Sequence, residues 1–410
     1  MKNMMWTIKK GLYRILHRLL GPVIKKLTKT KPELITGPGS IKELYKYLLP
    51  EGIKKPLIVT DKGLTNIKIH DPMLKTFKEN GIEYIIFDEV MPNPTIGMVE
   101  KARDIFVENN CDCMIAFGGG SPMDCAKVAL GLSSLPGKSV KDLGSLYRVK
   151  GNISPFIAVP TTSGTGSETN FGAIITDPDK RAKFAISSPQ VLPKYAVLDP
   201  ELTLGLPPFI TATTGMDALT HAIEAYVNIT NDKKTSENVY KAVKIIFNNL
   251  QSLYENGNQI EAREEMSLAA HYAGMAMIRS MLGYVHAIAH KLGGMYNIPH
   301  GLANAIILPH VLDFYGEKVY KKLAKLAILV GIGQESESRK MLAEKFIQAI
   351  RDLNETMDIP SSINEIKNED IDEIAEAAIK EGNPAYPVPK IMNLTEMKEL
   401  IIKLKSNTGE

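Results

Sequence analysis

The 410-residue sequence predicts an α/β N-terminal domain on a parallel, Rossmann-like sheet, followed by an all-helical C-terminal domain. Two observations carry this fold class. From Leu34 to about Leu206, short β-branched runs alternate with amphipathic helical stretches, the pattern of a parallel sheet with crossover helices. Beyond Leu204-Gly205-Leu206-Pro207-Pro208 only long helical patterns follow, so a boundary falls near 206. Ahead of both lies a basic amphipathic segment. The expected organisation is therefore an extension over 1–31, an α/β domain over 32–206 and a helical domain over 207–410.

The extension places Trp6, Leu12, Ile15, Leu16, Leu19, Leu20, Val23, Ile24 and Leu27 at helical spacing. Lys2, Lys9, Lys10, Arg14, Arg18, Lys25, Lys26, Lys29 and Lys31 are interspersed, with no acid before Glu33. Gly21-Pro22 predicts a break into two short helices. In the α/β domain, 56–60, 84–87, 114–117 and 156–159 read as buried strands. Helices over 40–49, 71–80, 95–109 and 122–132 separate them. The helical domain divides at Gly, Pro and Asn into 210–228, 232–254, 258–280, 283–296, 301–314, 317–331, 338–355, 370–380 and 394–405.

Composition excludes several function classes. A hydrophobic content of 44% and charged content of 23% are those of an ordinary globular protein, and a net charge of +3 does not argue for nucleic-acid binding. The extension accounts for that excess, leaving a mildly acidic body. Cys111, Cys113 and Cys125 lack Cys-x-x-Cys spacing, so they read as free core thiols of a reducing compartment. No apolar run is long enough to span a membrane, and no secretory h-region is evident. A cytoplasmic location is the expectation.

Two Gly-rich turns point to a nucleotide. Strand 113–117 runs into Gly118-Gly119-Gly120-Ser121-Pro122-Met123-Asp124, where consecutive glycines allow close backbone approach to an anion. Ser121 reads as the cap and Pro122 as the first residue of a helix whose N-terminus would face a diphosphate. The second turn, Pro160-Thr161-Thr162-Ser163-Gly164-Thr165-Gly166-Ser167-Glu168, offers small hydroxyl donors after another buried strand. An open α/β sheet binds ligands at such strand ends. Neither turn is a P-loop, which disfavours ATP hydrolysis. Asp61, ending the first strand, could accept from an adenosine ribose and repel a 2′-phosphate, favouring NAD over NADP. It could equally just cap the next helix.

A second cluster points to a metal. Asp217 and His221 are four residues apart on a predicted helix, and His286 and His290 repeat that spacing. His300 follows the Gly293-Gly294 pair. One carboxylate and three or four imidazoles suit Fe(II), Zn(II), Co(II) or Ni(II) better than Mg or Ca. A hydrogen-bonded structural role is the alternative for any one of these histidines.

Gly118–Asp124, Pro160–Glu168, Gly215–Glu224 and His286–Pro309, in that order, resemble the iron-containing (group III) alcohol dehydrogenases. The resemblance covers 34–310 closely and Asn383-Pro384 weakly. It implies a dehydroquinate synthase-like architecture: a dinucleotide-binding domain, a helical metal-binding domain and catalysis in the cleft between them. By matching position it implies Asp217, His221, His286 and His300 as ligands of Fe(II), with Zn(II) the alternative. His290 corresponds to a non-ligand active-site histidine that handles the proton. Asp61, Asn93, Gly119, Gly120, Ser121, Asp124, Thr161, Thr162, Thr165 and Lys183 correspond to the NAD contacts. Gly172 stands where many relatives carry a polar cofactor contact, and Asn170 is the nearby candidate to replace it. The implied reaction is reversible hydride transfer between a primary alcohol or aldehyde and NAD(H), in a homodimer.

Three other readings remain open. One is a hydroxyacid–oxoacid transhydrogenase of the same family; another is a lyase or synthase of the dehydroquinate synthase type. The third is a non-catalytic protein associated with membrane surfaces through the basic N-terminal helix. Against that last reading, the extension's charges do not gather on one clean face, which favours packing on the first domain or on a second subunit.

Overall fold

The computed structural model describes residues 2–144, 146–147, 149, 152–179 and 182–405. Its chain forms two compact units, one of residues 30–206 with 257–271, the other of 1–29, 207–256 and 272–410.

The first unit is built on a six-stranded, wholly parallel sheet. Its strands are β1 (Glu33–Thr36), β2 (Pro56–Val59), β3 (Ile85–Phe87), β4 (Cys113–Gly118), β5 (Phe156–Pro160) and, after a separate hairpin, β8 (Tyr195–Leu198). They run in the order β1-β8-β5-β4-β2-β3. The hairpin pairs β6 (Gly172–Asp177) with β7 (Ala182–Ser187) in antiparallel register. Strands β2, β4, β5 and β8 are buried at every position, as their unbroken apolar runs require when both faces are covered.

The four predicted strands are all present. The sequence reading missed β1, β8 and the hairpin: β1 is a mostly exposed edge, β8 is an apolar run of only four residues, and β6 alternates buried with half-buried residues. Helices α2 (Tyr45–Leu48), α3 (Lys62–Asn66), α4 (Asp71–Glu79), α5 (Ile96–Glu108) and α6 (Gly120–Ser133) connect the strands. Leu57, Val59, Met114 and Ala116 face α5 and α6, while Ile58, Ile115 and Phe117 face α4. That alternation is the period of two expected of a strand. Cys111, Cys113 and Cys125 are buried free thiols.

From β2 the chain passes to β3 on one side, whereas from β4 it passes to β5 on the other. The reversal makes a topological switch point, where an open sheet leaves a crevice at its carboxyl edge. Asp61 follows β2 and Gly118–Ser121 follow β4, one on each side of it. Gly118 pairs in register with Pro160, so the two Gly-rich turns leave the sheet side by side.

The second unit is helical. It contains α7 (Pro208–Val227), α8 (Lys233–Glu255), α10 (Tyr284–Tyr296), α11 (His300–Tyr315), α12 (Glu317–Leu329), α13 (Arg339–Thr356), α14 (Ile371–Gly382) and α15 (Leu394–Leu404), with the later part of α9 (Ile260–Ser280). All nine predicted helices form within a few residues of their expected limits.

The N-terminal segment departs from expectation in two ways. It is one continuous helix, α1 (Lys2–Leu27), with Pro22 inside it. Pro22 is exposed, so the carbonyl that loses its N–H partner lies on the watered side and no break follows. Its packing partner is the helical unit rather than the α/β domain. Arg14 donates to the carbonyl oxygens of Val388 and Pro389, and His17 Nε2–H donates to Pro384 O at 2.6 Å. Among the described residues no helix is long and apolar enough to cross a membrane.

Candidate functional site

In the helical unit, α7 sets Asp217, His221 and Glu224 along one face through i, i+4, i+7 spacing. Helix α10 supplies His286 and His290, and α11 begins at His300 and carries Asn304 one turn later. Helices α7 and α11 approach closely because residue 301 is glycine: a Cβ there would lie 2.3 Å from the Thr213 carbonyl oxygen. That contact brings His300 over Asp217.

The potential ligand atoms of Asp217, His221 and His286 all lie within 4.8 Å of one another, and all three residues are buried. Asp217 Oδ1 is 3.9 Å from His221 Nε2, 3.8 Å from His286 Nε2 and 3.7 Å from His300 Nε2. A tetrahedral metal with bonds of about 2.0–2.2 Å has ligand–ligand edges of about 3.4 Å. The observed edges are only slightly wider. Asn304 Nδ2 lies 2.7 Å from Asp217 Oδ1, 3.2 Å from His286 Nε2 and 3.1 Å from His300 Nε2, so three sets of lone pairs converge on one position. A cation held by these atoms would take the place of the Asn304 amide as their common partner. The donor set therefore fits a divalent transition metal. His300, with a third of its side chain exposed, is the open side of the cluster.

The surroundings prepare His286 for this role. Burial, with His221, His300 and His290 alongside, holds its pKa well below the usual imidazole value, which keeps it neutral. Its Nδ1 lies 2.7 Å from Glu224 Oε2, and Glu224 also accepts from the backbone N–H groups of Gly283 and Val285 at 2.8 Å. Burial raises the Glu224 carboxyl to about 8, against the pull of those donors. An accepting oxygen that receives Nδ1–H leaves Nε2 free to ligate.

His290 stands apart from the Asp217 cluster. Its ring stacks on His300 with centroids 5.3 Å apart, and its Nδ1 is 2.7 Å from Glu381 Oε1. Tyr386 donates its hydroxyl to the same oxygen at 2.7 Å. Glu224, Glu381, Tyr386 and Asn304 were all missed from sequence. Glu224 alone carried a signal, three residues beyond His221 on the same helical face.

In the α/β unit, the first Gly-rich turn is shaped by close approach. Gly118 has φ 148°, and a Cβ there would lie 2.7 Å from Pro122 Cγ. Helix α6 begins two residues earlier than expected, so Gly119 is its cap and Ser121 lies inside its first turn. Without a cap side chain, the opening N–H groups stay available. Ser121 Oγ instead accepts from Asn93 N at 3.3 Å. Asn93, at φ 61°, accepts from Lys183 Nζ at 2.7 Å, and burial lowers the Lys183 pKa. Thr162 and Thr165 lie over Gly119 and Gly120, and Thr161 N donates to Gly118 O at 3.1 Å.

Two predicted cofactor residues have structural duties. Asp61 caps α3, its Oδ1 accepting from Leu64 N at 3.0 Å. Asp124 accepts from Ser167 Oγ at 3.1 Å and from Ile174 N at 2.9 Å, tying α6 to the second turn and the hairpin. Lys127, one turn along α6, was missed. It is fully buried and donates to Ser167, Asn170 and Gly172 at 2.7–2.9 Å. Burial draws it down to about 8, with Asp124 and Glu168 opposing. Asn170 Oδ1 is engaged by Lys127 and by Gly172 N at 3.0 Å, which commits that oxygen to the loop.

Comparison with known proteins assigns both halves to one family. Residues 31–200 match the family model described as iron-containing alcohol dehydrogenase, and 211–404 match the C-terminal model of that family. The chain is 38% identical over 368 residues to a 1,3-propanediol dehydrogenase of Citrobacter freundii, covering 89% of this chain and 95% of the relative. It is 37% identical over 372 residues to an NAD-dependent methanol dehydrogenase of Bacillus methanolicus, covering 90% and 97%. The crystal structure of a 1,3-propanediol oxidoreductase superimposes with a TM-score of 0.87 at 37% identity, covering 91% of this chain and 98% of that one. With both family models matched in order across most of its length, the chain belongs to the iron-containing alcohol dehydrogenase family and is an oxidoreductase of that kind.

Proposed function

We propose that the protein is a metal-dependent alcohol dehydrogenase that moves a hydride reversibly between a primary alcohol or aldehyde and NAD(H). The observation that carries this reading is the convergence of Asp217, His286 and His300 on one position, with His221 beside them. When bound, the metal supplies Lewis acidity towards the substrate oxygen and the nicotinamide exchanges the hydride.

The chain's own residues bind, orient and move the proton. Asp217, His221, His286 and His300 would hold Fe(II), or Zn(II), as one oxygen and three neutral nitrogens. Glu224 fixes the tautomer of His286. His290, donating from Nδ1 to Glu381, presents Nε2 as the atom that accepts the alcohol's proton and returns it in the reverse direction.

On the α/β unit, the opening N–H groups of α6 and the hydroxyls of Ser121, Thr161, Thr162 and Thr165 would hold the diphosphate. Gly119 and Gly120 admit it, while Asn93 and Lys183 line the same turn. Asp124 supports this cradle from behind. Asp61, whose Oδ1 serves the cap, would accept a ribose hydroxyl through Oδ2 and disfavour a 2′-phosphate. The Bacillus methanolicus relative, named NAD-dependent, supports the choice of NAD.

The test is to strip the protein with a chelator, restore Fe(II) or Zn(II), and follow NAD and NADP reduction with a panel of primary alcohols. Turnover should need the metal and prefer NAD. Undiminished turnover in fully stripped protein would sink the mechanism. Exchange only when an oxoacid is supplied, without net NADH, would favour the transhydrogenase.

A further inference from the structure

The helical unit leaves one face of α1 uncovered. Met5, Ile8, Leu12, Ile15, Leu19 and Val23, spaced three or four apart, are each more than half exposed. At 1.5 Å per residue the helix is about 39 Å long, and this stripe runs along most of it. Exposed apolar stretches of that extent mark an interaction surface. The opposite face holds the helix in place through Arg14, His17 and Gly21.

Charge selects the occupant. Helix α1 carries seven Lys or Arg and no acid. A second copy of the helix would set like charges against like, whereas paired helices of one sequence need opposite charges beside the seam. The structure also sorts the charges that look scattered in sequence. Arg14 turns inward to the carbonyls of Val388 and Pro389, and Lys25 pairs with Asp232 at 3.2 Å. Lys9, Arg18 and Lys26 stay exposed beside or at the end of the apolar stripe, and Lys29 and Lys31 follow it. An exposed apolar stripe on a helix that carries bases and no acid is complementary to an anionic lipid headgroup layer over an acyl interior.

We propose that α1 docks the protein on anionic lipid bilayers, with the Met5–Val23 stripe in the headgroup–acyl boundary and the exposed bases among the headgroups. This surface is separate from the metal cluster and independent of the reaction assigned above.

Sedimentation of the full chain with phosphatidylcholine vesicles, and with equal phosphatidylcholine and phosphatidylglycerol, tests the proposal. Binding should need the anionic lipid and should weaken by about tenfold or more in molar salt. Each of Lys9→Gln, Arg18→Gln and Lys26→Gln should weaken it by about fivefold. Ile15→Asp/Leu19→Asp, which alters only exposed side chains, should abolish sedimentation while alcohol oxidation in solution is unchanged. Failure of the wild type to bind anionic vesicles at low salt, or undiminished binding by the double variant, overturns the proposal. So does a wild-type dimer that the double variant dissociates without any vesicle binding, since the stripe would then be a protein interface.

Discussion

Glu224 and His290 show how much of this chemistry rests on single hydrogen bonds to carboxylates. Glu224 joins His286 Nδ1 to two backbone N–H groups at the start of α10, so Glu224→Gln sets an NH2 group where one of two accepting oxygens stood and disturbs the orientation of the imidazole. Metal affinity should fall by about 10–100-fold, read as faster loss of metal to a chelator. His290→Ala leaves the Asp217 cluster intact. Metal content should stay at the wild-type level while kcat falls by about 10²–10⁴-fold, with a smaller change in KM. Equal metal content and unaltered kcat would remove His290 from proton handling. At this scale the sequence supplied the potential ligands but not their supports. Glu381 and Tyr386 lie some 90 residues from His290, and no local pattern joins them.

At the scale of elements, buried polar ties decide what holds the site. Lys127 binds α6 to Ser167, Asn170 and Gly172 and so braces the second Gly-rich turn against the first. Lys127→Met would strand those acceptors in the interior. It should cost about 2–3 kcal/mol, visible as a lower Tm, and raise the KM for NAD severalfold while leaving metal content alone. A variant with normal Tm and NAD KM would show that the brace is dispensable.

Helix α1 responds to pH through His17. Burial, then the nearby Arg14 charge, lowers the His17 pKa from 6.5, while the bond to the Pro384 carbonyl opposes that shift. Because the folded imidazole binds its proton more weakly than the unfolded one, its contribution is complete above about pH 6.5 and is lost as pH falls below that value. The protection of amides along α1, measured against intrinsic exchange at each pH, should therefore fall between about pH 6.5 and pH 5, more than in α8. His17→Gln should flatten that dependence; an equal acid response in the variant would place the titration elsewhere.

At the scale of the whole molecule, a metal held by α7, α10 and α11 would tie three helices of one unit together. Chelator treatment should lower Tm and Fe(II) or Zn(II) should restore it, a stabilisation of about 2.7 kcal/mol at a hundredfold excess over Kd. Unchanged Tm with verified metal loss would mean the cluster is held by Asn304 and Glu224 alone.

Sequence periodicity determined the parallel sheet and the nine C-terminal helices, because buried strands and amphipathic helices must display their apolar faces locally. It also marked the two Gly-rich turns and the i, i+4 pairs that the helices align. Tertiary structure alone decided the rest. The edge strand β1 and the hairpin owe their form to neighbours rather than to internal pattern. Asp124 turned to a backbone amide of the hairpin that the fold brings to it, and α1 stayed whole because its proline faces water. Its inward arginine and outward stripe were set by a packing partner more than 350 residues away in the chain. A pattern of side chains fixes which face can be buried, but only the folded neighbours fix which face is.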